Sequence, residues 1–184
     1  MDDRFDLSGK VALVTGGSRG LGREMVLAFA EHGADLVIAS RKLEACEELA
    51  HEVTEQTGRR AVATAFHAGK WEQADQLAEL VYAEFGRCDV LVNNAGMSPL
   101  YPSLPEVSEE LFDKVVGVNF KGPFRLASLI GTRMAEGAGG SIINVSSIAA
   151  VAPTPHELVY AGAKAALDAM TSGMARAFAP KVRC

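Results

Sequence analysis

The sequence predicts an α/β fold, a doubly wound parallel sheet with helices on both faces. Three observations carry this. Short runs rich in β-branched and aliphatic residues alternate with longer amphipathic runs. The short runs are almost continuously apolar, as strands covered on both faces must be. A glycine-rich turn stands between the first short run and the helix that follows it, the place where such folds hold phosphate groups.

The elements follow in order. KVALVT (10–15) reads as a buried strand, followed by a helix over 20–32. DLVIAS (35–40) is a second strand and 43–57 a second helix; AVATAF (61–66) is a third strand and 71–85 a third helix. DVLVNN (89–94) is a fourth strand. A long helix over 109–136 comes next, capped by Ser108 and with Glu109 and Glu110 in its first turn. SIINVS (141–146) is a fifth strand and 158–179 a further helix. Right-handed crossovers then place the ligand crevice at the carboxyl ends of the strands, where the strand order reverses. The final PKVRC (180–184) reads as a helix stop and the first residues of a sixth strand. Residues 1–184 are therefore expected to form one dinucleotide-binding domain that lacks its C-terminal strands. The fifth strand is then expected to be an uncovered apolar edge.

Composition narrows the function. With 48% apolar and 22% charged residues the chain resembles ordinary soluble globular proteins. A net charge of -5 argues against a nucleic-acid partner. No apolar run reaches the roughly 18 residues of a membrane span. The start, MDDRFDLSGK, is acidic and polar, unlike a signal peptide. Cys46, Cys88 and Cys184 are widely spaced and odd in number, which fits a reducing cytoplasm. Neither they nor His32, His51, His67 and His156 have metal-ligand spacing.

The turn TGGSRGLG (15–22) places Gly16, Gly20 and Gly22 where the backbone must turn tightly and approach a ligand closely. Free amides at the following helix start suit a pyrophosphate. Folds that select NAD usually carry an acidic residue at the end of the second strand. Here that end reads Ser40-Arg41. Arg41 can pair with a 2′-phosphate, Ser40 can donate to it, and Arg19 in the turn is a second cation. The expected cofactor is NADP, with NAD as the alternative.

VYAGAKAAL (159–167) holds Tyr160 and Lys164 four apart, on one face of a helix. Chance alone supplies such a pair in roughly one chain of nine with this composition. A free phenol is a poor base at neutral pH, but a neighbouring ammonium favours its ionised form. A tyrosine so tuned exchanges a proton with a carbonyl or hydroxyl oxygen. Ser147 lies at the end of the fifth strand, 13 residues before Tyr160. Asn119 lies inside the long helix, and Pro123 removes the hydrogen bond to its carbonyl. This predicts a kink and a free acceptor that holds a water.

These segments together resemble the short-chain dehydrogenase/reductase family in its non-extended form. TGGSRGLG resembles the family's nucleotide turn, and NNAG (93–96) its motif after the fourth strand. VNFKGPF (118–124) resembles the asparagine segment, and INVSS with YAGAK the serine and Tyr-x-x-x-Lys motifs. The resemblance implies a Rossmann fold and an oxidoreductase that moves a hydride between a nicotinamide and a carbonyl or secondary alcohol. Tyr160 would be the general acid/base, Lys164 would lower its pKa and bind the ribose, Ser147 would hold the reacting oxygen, and Asn119 would anchor a relay water. The cofactor would contact Gly16, Ser18, Arg19, Gly20, Leu21, Ser40, Arg41, Asn94, Ala95 and Gly96, together with Tyr160 and Lys164.

Two departures stand out. His67 occupies the place where family members often carry an aspartate that contacts adenine. Members also run some tens of residues longer, supplying two strands, a Pro-Gly loop and much of the substrate pocket. An inactive nucleotide-binding fragment or scaffold is therefore the competing expectation. Met97, Ser98, Leu100 and Tyr101, with Val151, Ala152, Pro153, His156 and Leu158, suggest a mostly apolar pocket. The family further implies a homodimer or homotetramer acting on a small molecule, and the cysteines point to the cytoplasm as its setting.

Overall fold

The computed structural model describes residues 5–184. The first half of the chain alternates as β1 (Val11–Thr15), α1 (Gly20–Glu31), β2 (Asp35–Ser40), α2 (Leu43–Thr57), β3 (Ala61–Ala65), α3 (Trp71–Phe85) and β4 (Val90–Asn93). The second half runs through α4 (Glu109–Val116), a π-helical segment (Gly117–Lys121), α5 (Gly122–Glu136), β5 (Gly140–Asn144), α6 (Leu158–Ala177) and β6 (Val182–Arg183). The strands form one sheet in the order β3-β2-β1-β4-β5-β6, every neighbouring pair parallel. The order reverses between β1 and β4, which fixes the crevice there.

Strand pleating explains the continuous apolar runs. Ala12, Val14, Leu36, Ile38 and Val92 face α1 and α2, packing on Val26, Leu49 and Val53. Val11, Leu13, Val37 and Leu91 face the other way, against Leu77, Val81, Leu126, Ile130 and Leu167. Each strand residue thus belongs to one of two cores separated by the sheet.

Three expectations are corrected. The helix over 109–136 is not continuous: it widens into a π turn at Gly117–Lys121, where the Gly122 amide donates to the Gly117 carbonyl. Backbone packing accounts for much of this. A side-chain carbon on Gly122 would lie 1.7 Å from the Ala68 carbonyl oxygen, so α5 starts hard against the loop after β3. The fourth and fifth strands end at Asn93 and Asn144, because the chain then peels away into the site. The edge of β5 is partly covered: β6 pairs Val182 with Gly140 and Arg183 with Ser141, leaving Ile142 to Asn144 outside this pairing.

Candidate active site

The glycine turn is shaped by what it touches. Gly16 has φ +64, and a side chain there would strike Ala95 and Asn94. A side-chain carbon on Gly22 would stand 2.2 Å from the Gly16 carbonyl oxygen, so only glycine lets α1 begin so close to the turn. Asn94 fastens the turn from the far side of the crevice. Its Nδ2 donates to the carbonyls of Thr15 (3.0 Å) and Gly16 (3.1 Å). Thr15 Oγ1 donates to the Val92 carbonyl and accepts from the amides of Asn94 and Ala95. The Asn94 side-chain amide thus binds the turn that it faces across the crevice.

Arg19 precedes α1 in extended conformation, and its side chain makes no capping bond. α1 carries no acidic residue in its first turn, so its positive dipole end is uncompensated. Gly20 and Leu21 open the helix on its exposed side. At the end of β2, Ser40 Oγ lies 2.8 Å from Ser18 Oγ and 3.1 Å from the Cys46 thiol. Arg19 and Arg41 are both exposed, and no carboxylate among the described residues pairs with either. A glycine cradle, an unblocked helix start and two unpaired guanidiniums fit a dinucleotide with a 2′-phosphate.

His67 follows β3. Its Nδ1 accepts from the Gly69 amide at 3.1 Å, and its own amide donates to Gln73 Oε1. The ring thus closes a local turn, as an aspartate oxygen would.

The catalytic candidates converge at the ends of β4 and β5. Lys164, on α6, is 3% exposed and donates from Nζ to the Val145 carbonyl at 2.6 Å. Its Nζ stands 5.7 Å from the centre of the Tyr160 ring. Burial holds its ammonium below the usual lysine value, with Asp168 opposing in part. A side-chain carbon on Gly96 would lie 3.1 Å from Asn119 Oδ1 and 3.8 Å from Lys164 Nζ, so these three groups share one corner. Ser147 Oγ accepts from the Ala149 amide at 3.2 Å and starts a short 3-10 turn that packs on α6. Beside it, Ser146 Oγ is buried and has no hydrogen-bond partner among the described residues.

Asn119 is fully buried in the π segment. Its Nδ2 donates to the carbonyls of Met97 (2.8 Å) and Val115 (2.9 Å), and its Oδ1 accepts from the Met97 amide (3.2 Å). It ties the loop after β4 to the helix. One further network was not evident from the sequence. Asn93 Nδ2 donates to Asn144 Oδ1, and Asn144 Nδ2 to Thr171 Oγ1, both at 2.9 Å, linking β4, β5 and α6 beneath the site. Tyr101 contacts the start of α6. A cavity of about 630 Å³ is lined by Leu100, Tyr101, Pro102, Thr154 and His156, which collects several of the expected pocket residues.

A family model described as short chain dehydrogenase matches residues 10–184. The chain belongs to the short-chain dehydrogenase family. A short-chain type dehydrogenase/reductase of Picea abies is 38% identical over 177 residues, covering 92% of this chain and 65% of that protein. Dehydrogenase/reductase SDR family member 4 of Homo sapiens is 34% identical over 181 residues, covering 98% and 65%. This short-chain dehydrogenase chain thus spans just under two thirds of the length of these curated relatives. Among solved structures, L-sorbose reductase from Gluconobacter frateurii, complexed with NADPH and L-sorbose, superposes with a TM-score of 0.93 at 33% identity. That match covers 100% of this chain and 69% of the reductase. NAD+-bound xylitol dehydrogenase superposes with a TM-score of 0.90 at 29% identity, covering 96% and 68%. No helix among the described residues is long and apolar enough to cross a membrane.

Proposed function

We propose that this chain serves hydride transfer between NADP(H), with NAD as the alternative cofactor, and the carbonyl or secondary alcohol of a small molecule. The observation that carries this reading is the buried Lys164 ammonium beside the Tyr160 ring, at the sheet end where the strand order reverses. The nicotinamide, when bound, supplies or accepts the hydride. Tyr160 gives or takes the proton at the reacting oxygen. Lys164 favours the ionised phenol through its charge, and its lowered affinity for its own proton suits a group that passes protons on. Ser147 holds the reacting oxygen by a hydrogen bond. Asn119 holds the loop carrying Gly96 and Met97, and its backbone carbonyl anchors the relay water.

The unpaired Arg19 and Arg41, each following one of the hydrogen-bonded pair Ser18 and Ser40, support NADP. Relatives complexed with NADPH and with NAD+ support the pair of alternatives. Exposed Phe112 and Phe124 on α4 and α5 support a homodimer or homotetramer. Three free cysteines fit a reducing, cytoplasmic setting.

The test pairs binding with turnover. NADPH fluorescence titration followed by a panel of carbonyl substrates should show both in the wild type. Tyr160→Phe should lower turnover by about 10²- to 10⁴-fold with NADPH binding kept. Arg41→Glu should weaken NADPH by at least about tenfold and NADH much less. Undiminished turnover in Tyr160→Phe would sink the proposal. Binding without turnover in the wild type would favour the nucleotide-binding scaffold.

A further inference from the structure

The first turn of α6 presents Tyr160, yet its own sequence leaves that turn poorly capped. The residue before the helix, Glu157, makes no side-chain bond to the helix amides. Its carboxylate instead accepts from Ser98 Oγ at 3.3 Å and from Thr154 Oγ1 at 3.1 Å. The missing acceptor comes from the loop after β4. The Tyr101 hydroxyl accepts from the Leu158 amide, the first of the helix, at 2.7 Å. Tyr101 is 5% exposed, so water does not readily replace this contact. Its carbonyl faces His156 Nδ1 at 3.4 Å.

The loop that presents Tyr101 is itself fixed. Pro99 and Pro102 flank it and restrict its backbone. Two residues before Pro99, Met97 is held at both its amide and its carbonyl by Asn119. A continuous splint therefore runs from Asn119 through Met97 to Tyr101 and on to the start of α6.

We propose that Tyr101 is a positioning residue that holds the first turn of α6, and with it the Tyr160 phenol, in register with Lys164 one turn below. This rests on the reading of Tyr160 as the acid/base. Losing the cap frays the turn. The phenol then loses part of the helix-dipole field and of the Lys164 charge that favour its ionised form. On its own helix and loops the turn has His156, Glu157, Lys164, Asp168 and Tyr101 as titratable neighbours, and α4 and the π segment, which pack against α6, add Glu109, Glu110, Asp113, Lys114 and Lys121.

The test is Tyr101→Phe, which keeps the ring and removes the acceptor. Amide hydrogen exchange over residues 158–161 should speed up about fivefold, the loss of one net hydrogen bond. The ionisation of Tyr160 is read as the ultraviolet difference against Tyr160→Phe, in wild-type and Tyr101→Phe backgrounds. Its midpoint should be higher in the variant than in the wild type. An unmoved midpoint, even with faster exchange, makes Tyr101 a purely structural cap and overturns the proposal. An unchanged exchange rate overturns it as well. Neither readout needs turnover, so failure of the hydride-transfer reading is seen separately, in the substrate panel. Where turnover is found, the pH profile of kcat should move with the midpoint while the KM for NADPH stays put.

Discussion

Lys164 is the residue whose chemistry and stability pull in opposite directions. Its ammonium is buried and donates to the Val145 carbonyl. Its pKa is lowered by burial, so between the folded value and the ordinary lysine value the unfolded chain binds more protons than the folded one. Stability therefore rises as pH climbs through that window, and the buried charge is a burden below it. Lys164→Met should be more stable than wild type at pH 7 by about 1 kcal/mol. The gap should narrow as pH approaches about 10, which urea unfolding at pH 7 and 9.5 would measure, while turnover is lost. A gap that does not change with pH would mean that Lys164 does not titrate abnormally. The Tyr160 and Lys164 pair was legible in the sequence because a spacing of four on a helix is a local rule. The acceptor at Val145 and the cap from Tyr101 were not, because both partners come from distant segments joined only by folding.

At the scale of the element, the π segment shows where local reading stops. The sequence places a proline four residues after Asn119 and so implies a kink. What the helix does there also depends on two surfaces outside it. Gly122 abuts the Ala68 carbonyl, and the Asn119 side chain makes three bonds, two of them to Met97. The strands and the other helices, by contrast, were legible to within a residue or two, since pleat and turn periodicities need no partner to be read. Asn119→Ala should destabilise the chain by about 2 kcal/mol by removing the three side-chain hydrogen bonds to Met97 and Val115. It should also loosen the loop after β4, seen as faster hydrogen exchange at Met97. Pro123→Ala should cost less than about 1 kcal/mol and leave the Met97 amide protected, because the Asn119 contacts persist. Loss of Met97 protection in Pro123→Ala would assign the widening to the proline itself.

Across the whole molecule, the sheet separates two cores and joins them only through its strands. One stretch of that sheet is incompletely clothed. Ile143 on β5 is 41% exposed, and β6 reaches only the two residues at the start of the strand. The sequence pointed to an exposed edge here; the short β6 covers part of it. Ile143→Lys should suppress self-association of this chain at high concentration, measured by light scattering, with little change in Tm. Equal scattering from both proteins would place the contact elsewhere. At the carboxyl ends of β1 and β4, Thr15 and Asn94 knit the two walls of the crevice together from within the protein. A dinucleotide arriving there meets a mould already set. Capture should follow a single exponential in stopped-flow, its rate linear in nucleotide concentration without a plateau, and cutting the knot with Asn94→Ala should introduce the slow rearrangement that the native chain avoids.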